Sequence, residues 1–376
     1  MLICYTGTLT QGKMITKKAY IPSMGIFSVE DADEPFNPTK GYVALTKASS
    51  DNVSDEKAQA PFDTESAGSD SNVASFLDVA ALANISTVWQ GKDDGEWHAR
   101  GDPTEIAINV FAARFGWSRS KLIGSENPTW KTLLEFPFDS DVKKMSVVLE
   151  NTETEKLQVF TKGAVERVLQ SCTNFYATTG SDDLTKMTDD HRDRILEQME
   201  KLASFGLRVL ALASRPAPEH LNYAKELDRN QLECELTFRG LVGLYDPPRA
   251  ESAASVKECR EAGIEVHMLT GDHPGTARAI AIDVGILPSK QEMENLPKDV
   301  ADSLVMTAGE FDKLDDDQID QLPQLPLVVA RCAPNTKVRM IEALHRRKRF
   351  AAMVSTSTDK SRCTDRANTF IDWRWR

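Results

Sequence analysis

Thr270-Gly271-Asp272 gathers a hydroxyl, a backbone without a Cβ and a carboxylate in one short turn. Before it, Ile264, Val266 and Met268 are apolar at every second position, the pattern of a strand with one buried face. After it comes Pro274, which suits the first turn of a helix because its missing N–H would have no partner there anyway. A strand–turn–helix junction of this kind is where open α/β sheets hold ligands, and a phosphate fits the groups on offer. A second such turn, Thr6-Gly7-Thr8, stands near the start of the chain. Gly7, Gly12 and Lys13 also fit a P-loop frame, but Met14 occupies the position that should carry a magnesium-binding hydroxyl.

Other single residues admit two readings each. Lys162-Gly163 closes an apolar run, so an ammonium and a bare backbone could meet a phosphate; taken alone, Lys162 reads as a solvated lysine. Glu105 follows Pro103-Thr104 at a helix start and reads as a surface acid favoured by the helix dipole, with a ligand role as the alternative. Phe138 reads as core, with a stacking platform for a base as the alternative. Arg208 lies in an apolar strand and needs either a carboxylate or a bound phosphate as partner. Lys337, in the helix that Pro334 opens, reads alone as a surface lysine.

The elements that must position these residues follow from periodicity. Residues 72–83 read as a buried helix and 189–204 as a polar-faced one. Runs at 133–138, 145–148, 157–161, 207–213, 236–244, 327–330 and 350–354 read as strands. Helix faces are expected at Val165, Val168 and Leu169, at Val256, Cys259 and Ala262, and at Val338, Ile341 and Leu344. Repeated strand–helix–strand units in the second half predict a parallel sheet with right-handed crossovers. The piece at 1–14 adds to that sheet, so roughly 20–235 forms an inserted domain. The acidic stretch 30–75 reads as a surface excursion, and Asp315-Asp316-Asp317 as a solvated loop.

Composition narrows the function. A chain of 376 residues with 41% hydrophobic and 27% charged residues is ordinary globular material for two domains. A net charge of -12 argues against a general nucleic-acid surface. No run approaches the roughly 18 apolar residues of a membrane helix, and Met1-Leu2-Ile3-Cys4-Tyr5 is too short for a secretory h-region. The 6 cysteines are scattered without a CxxC, which reads as reduced thiols and no metal site.

Taken together, the motifs resemble the cytoplasmic region of a P-type cation-transporting ATPase. They are Thr6-Gly7-Thr8-Leu9-Thr10, Lys162-Gly163-Ala164, Asp246-Pro247-Pro248-Arg249, Thr270-Gly271-Asp272-His273-Pro274, and Lys337 within Arg331-Cys332-Ala333-Pro334-Asn335-Thr336-Lys337. Details around His273 and between Arg331 and Phe350 are most similar to the fungal sodium/potassium-exporting branch. The resemblance implies an α/β fold: a haloacid-dehalogenase-like parallel-sheet phosphorylation domain, here incomplete, split by an inserted α+β nucleotide-binding domain. The implied boundaries are 1–20 and 236–353 for the two phosphorylation pieces, 21–235 for the nucleotide-binding domain and 354–376 for an unmatched tail.

The family moves the γ-phosphoryl of ATP to an aspartate and couples this to membrane helices. By motif, the resemblance puts Glu105, Phe138, Lys143, Lys162, Gly163 and Arg208 around the nucleotide, with Phe138 on adenine and Arg331 approaching from the phosphorylation side. Thr6, Thr270, Gly271 and Lys337 would hold the transferred phosphoryl, with Asp272 beside it orienting closure. Two departures matter. The family's Cys-Ser-Asp-Lys-Thr-Gly-Thr reads Cys4-Tyr5-Thr6-Gly7-Thr8 here, without the nucleophile. The magnesium motif Thr-Gly-Asp-Gly-Val-Asn-Asp has no counterpart after Met353, so the cofactors are ATP and a magnesium ion whose site is incomplete. The expectation is a fragment that binds ATP, at the cytoplasmic face of a membrane pump by descent and soluble by itself, with no nucleic-acid partner. It lacks the pump's membrane helices and actuator domain. The alternative is a non-catalytic nucleotide-binding module or a nonfunctional truncated product.

Overall fold

Short apolar runs such as Val328–Ala330 are too brief for helices and are buried by pairing as strands. The structure, a computed structural model, describes residues 2–4, 8–32, 34–47, 61–177, 184–218, 228–295 and 297–354. It separates into two units. One comprises Met1–Lys13, Ala203–Arg208 and Asp246–Arg376; the other comprises Met14–Leu202 and Val209–Tyr245.

The first unit is built on parallel strands in the order Val305–Thr307, Val328–Ala330, His267–Leu269, Leu2–Cys4, Met353–Val354. Leu2 to Cys4 run in register with His267 to Leu269, so the chain start enters the sheet as the sequence predicts. Met268 and Val328 face one apolar cluster with Ala277, Ile280 and Ala281. Leu269 and Val329 face another with Phe311, Met340 and Leu344. Alternation along each strand thus feeds two cores, which is why both faces of a parallel sheet must be covered.

The second unit carries a mainly antiparallel sheet. Its main path runs Tyr42–Lys47, Gly25–Glu30, Ile15–Ile21, Leu236–Tyr245, Arg208–Pro216, Leu157–Ala164, Lys144–Asn151, Trp130–Asp139. Helices Ser71–Leu82 and Pro103–Ala113 pack on it, with Phe76 and Phe111 edge-on at 6.4 Å.

Several expectations change. Leu236–Tyr245, read as part of the parallel sheet, pairs antiparallel with Ile15–Ile21 instead. A fully apolar run is buried equally well in either kind of sheet, so its sequence does not choose the partner. Ile264 is 44% exposed and the strand it was to open covers only His267–Leu269. Val338 is exposed, while Met340, Ala343 and Leu344 fill the helix's buried face. Asp315 caps a short helix, Asp316–Gln321, rather than sitting in a loop. Arg208 is exposed at the first position of its strand, so it is not a buried charge awaiting a partner. Residues 48–60 of the acidic stretch and the tail from 355 lie outside the described residues. Cys172, Cys234, Cys259 and Cys332 are free thiols. Among the described residues no helix is long and apolar enough to cross a membrane.

One half-buried carboxylate makes stability depend on pH. Asp78, in the helix Ser71–Leu82, accepts a hydrogen bond from Trp117 Nε1 at 3.1 Å. Burial pushes it up to about 6 against the opposing pull of Trp117 and Arg239. The unfolded carboxyl titrates near 3.8, so between about pH 4 and 6 the native state holds a proton that the unfolded chain has lost. Stability therefore falls as pH rises through that window. Asp78→Asn is expected to abolish this fall and to gain roughly 1–2 kcal/mol at pH 7, read by urea unfolding at pH 4.5 and 7.

Candidate functional site

Adjacent strands bring the second unit's residues together by register. Asp139 pairs with Lys144, Lys144 with Gly163, and Gly163 with Ala211, a row across four strands. Side chains one position off this row point to the opposite face. Lys162 and Met145 therefore share a face, while the irregular step between Phe136 and Asp139 takes Phe138 out of the regular alternation. Phe138 is 56% exposed despite its size, which corrects the expectation that it is core.

Lys162 and Glu105 are 4% and 6% exposed, so neither the solvated lysine nor the surface acid is what forms. Lys162 Nζ donates to Glu105 Oε1 at 2.8 Å. Glu105 sits in the first turn of Pro103–Ala113, a helix capped by Asp102 accepting from Thr104 N–H. Its other oxygen, Oε2, accepts from Ile85 N–H at 3.1 Å. Burial pushes the Lys162 ammonium down, and the Glu105 charge and hydrogen bond push it back up. The result is a dry ion pair in the unit that also carries the exposed Phe138 ring.

Lys143 ends the turn between two of these strands with φ +58, a left-handed conformation that a non-glycine residue adopts only when its surroundings hold it there. Its N–H donates to Asp139 O at 2.7 Å and its carbonyl accepts from Ala164 N–H at 3.0 Å. A Cβ at Gly163 would fall under 3.0 Å from that Lys143 carbonyl oxygen. The bare backbone at Gly163 thus admits the protein's own turn.

Behind the row lies a buried polar network that the sequence reading passed over. Glu233 accepts from Ser146 Oγ at 2.7 Å and pairs with Lys144 Nζ at 3.1 Å and Arg229 Nε at 3.2 Å. Arg229 Nη2 donates to Lys144 O and Pro137 O at 3.0 Å, and to Phe136 O at 3.4 Å. The signal available in sequence is the Asp228-Arg229-Asn230-Gln231 capping box, which fixes a short helix start but not what its arginine reaches.

The first unit holds the other expected groups. Thr270 Oγ1 donates to Asp272 Oδ2 at 2.8 Å and accepts from Asp272 N–H at 3.1 Å. Cys332 N–H donates to Thr270 O and Arg331 N–H to Asp272 O, so two loops at strand ends are knitted together. Gly271 is exposed, with only Cys332 O as far as 4.0 Å from where its Cβ would be. Arg331 is exposed, with φ +58. Lys337 is half-buried near the start of Pro334–Arg346. Asp246 Oδ1 accepts from Gly12 N–H at 2.9 Å, and its carboxyl is pushed up by burial and by the Asp272 charge, while bonds from Thr10 and Gly12 oppose the shift. Thr6 lies outside the described residues.

Comparison with known proteins settles the family. A family model described as P-type ATPase, cytoplasmic domain N, matches residues 72–251. The sodium/potassium exporting P-type ATPase cta3 of Schizosaccharomyces pombe is 44% identical over 370 residues, covering 97% of this chain and 34% of the relative. The chain belongs to the P-type ATPase family. Sodium/potassium exporting P-type ATPase 2 of Saccharomyces cerevisiae is 39% identical over 409 residues, again across 97% of this chain and 37% of the relative. A calcium-transporting ATPase of Bacillus subtilis is 33% identical over 273 residues, 73% of this chain and 28% of its own length. Among P-type ATPases the chain is thus similar to the fungal sodium/potassium-exporting branch, and it spans about a third of the length of these fungal relatives.

For this P-type ATPase chain, the structure brings Glu105, Lys162, Gly163, Lys143 and Phe138 together in one unit, and Thr270, Gly271, Asp272 and Arg331 in the other. Arg208 groups by contact with the first unit, apart from the residues it was expected to join. Among the described residues no group of three or more His, Cys, Asp and Glu could hold a metal ion.

Proposed function

We propose that the second unit binds ATP and that the chain is the nucleotide-binding and phosphate-handling part of a pump that exports sodium or potassium. The observation that carries this reading is the dry Lys162–Glu105 pair, with the exposed Phe138 two strands away across Lys144–Asn151. An exposed aromatic ring offers a face to adenine, and a lysine held by a carboxylate offers a fixed donor to its polar groups or phosphates. Gly163 and Lys143 shape the turn beside them, and Arg208, which groups with the first unit, is left out of this set. In the first unit, which we read as a haloacid-dehalogenase-like domain split in sequence by the second, Thr6, Thr270, Gly271 and Lys337 are the groups that hold the transferred phosphoryl in a complete pump. Asp272 stands beside it and Arg331 contributes a cation from the same unit.

We further propose that this chain binds ATP without turning it over. Its sequence shows Tyr5 between Cys4 and Thr6 where the family carries Ser-Asp-Lys, and no magnesium motif follows Met353. The chain's own residues therefore bind and orient the nucleotide; no phosphoryl acceptor is assigned. Titration with a fluorescent ATP analogue is expected to saturate and to be reversed by ATP. Incubation with radiolabelled ATP and magnesium, then acid quench, is expected to leave no hydroxylamine-sensitive label. A labelled band would overturn the second statement, and absence of saturable binding the first.

A further inference from the structure

We infer that Arg229 is a positioning residue that sets the Phe138 platform through the backbone that flanks it. The inference rests on the proposed stacking of adenine on Phe138. It starts from a defect in the ladder. Between Trp130–Asp139 and Lys144–Asn151 the register shifts between Phe136 and Asp139, so Phe138 is flanked by backbone that the regular pairing does not hold. Pro137 supplies no N–H there. An exposed ring on such a segment would wander unless something else fixed the chain.

Arg229 fills that place. Its Nη2 donates to the carbonyls of Phe136, Pro137 and Lys144, at 3.4, 3.0 and 3.0 Å, and so bridges both strands across the irregular step. The guanidinium lies over the Phe136 ring at 5.5 Å, and Nη1 reaches Asp139 Oδ2 at 3.7 Å on the other side of Phe138. Planar forked donors make this possible, and an ammonium would reach fewer acceptors. The guanidinium is itself held: Nε lies 3.2 Å from Glu233 Oε1, and Glu233 is buried between Arg229 and Lys144 while accepting from Ser146. Phe136 pairs with Ser146 and Asp139 with Lys144, so the residues on either side of the irregular step face the network, and Phe138 lies within the step. Arg229 acts on the ring through the backbone, without offering its charge to the nucleotide.

A double-mutant cycle on the full chain tests this, with the affinity for ATP measured by displacement of a fluorescent analogue and the affinity for inorganic tripolyphosphate measured in parallel. Arg229→Met is expected to weaken ATP about 5- to 20-fold and to leave tripolyphosphate within twofold. In a Phe138→Ala background the same substitution is expected to change ATP affinity less than twofold. Arg229→Lys, which preserves the charge against Glu233, is expected to recover part of the ATP affinity and serves as the folded comparison if Arg229→Met melts early. The inference is overturned if Arg229→Met and Arg229→Lys both leave ATP affinity unchanged, if tripolyphosphate weakens in step with ATP, or if the effect persists without the Phe138 ring. A Phe138→Ala variant that binds ATP as well as the parent would instead remove the stacking reading, and the inference with it.

Discussion

Glu105→Ala is expected to destabilise the second unit by about 3–5 kcal/mol, because it leaves the Lys162 ammonium buried without its paired carboxylate. For a unit of this size that is a fall of roughly 6–20 °C in the melting temperature. Ile85 N–H also loses its acceptor. Burial already pushes the ammonium down from 10.5, and without Glu105 it falls further. Between the folded and unfolded values the native state then binds fewer protons than the unfolded chain, so the variant regains stability as pH rises toward 10.5. Urea unfolding at pH 7 and 9.5 reads this slope. Glu105→Gln keeps a hydrogen-bond acceptor and should lose about half as much. Lys162→Ala is expected to weaken ATP binding 10- to 100-fold, equivalent to about 1.4–2.7 kcal/mol. Singles that melt within 2 °C of the parent, by an approximate experimental margin, would mean that the pair is wet in solution.

Gly163→Ala is the second large effect. The new methyl group would press on the Lys143 carbonyl oxygen at under 3.0 Å and on Lys144 Cα at 3.0 Å. Both are backbone atoms, so no side-chain rotation relieves the clash. The Lys143 turn must lift, and with it the Ala164 N–H to Lys143 O bond at 3.0 Å. A loss of about 1–3 kcal/mol is expected, as for other overpacked sites. The diagnostic readout is hydrogen exchange: the Ala164 amide should lose protection in the variant while amides in Gly25–Glu30 keep theirs. Unchanged Ala164 protection would show that the strands separate without moving the turn.

The elements were more legible than their surroundings. Pro274, Pro103 and Pro334 each begin a helix because an imino acid loses nothing at that position, and all three starts stand as read. The small apolar residues of 72–83 give a helix with Val73, Phe76, Leu77 and Ala80 buried. Burial of charge was not legible. Glu105 and Lys162 are 57 positions apart in sequence, and each looks like an ordinary surface residue until the other is beside it. Phe138 failed in the opposite sense, since an aromatic residue in a strand carries no mark of being left outside the core. Arg229 was invisible for the same reason as Glu105: its acceptors are carbonyls, which every residue has.

The strand Leu2–Cys4 lies between His267–Leu269 and Met353–Val354, and this order has a consequence on the ribosome. Leu2–Cys4 is made before both strands that flank it in the parallel sheet, His267–Leu269 and Met353–Val354. At about 5–20 residues per second, Leu2–Cys4 waits on the order of 10–50 seconds for His267–Leu269. The antiparallel sheet of the other unit closes with Leu236–Tyr245 and is complete sooner. Translation therefore builds the insert before its host, and a chain interrupted after residue 245 but before residue 267 carries a finished second unit on an unmatched apolar ribbon open to aggregation.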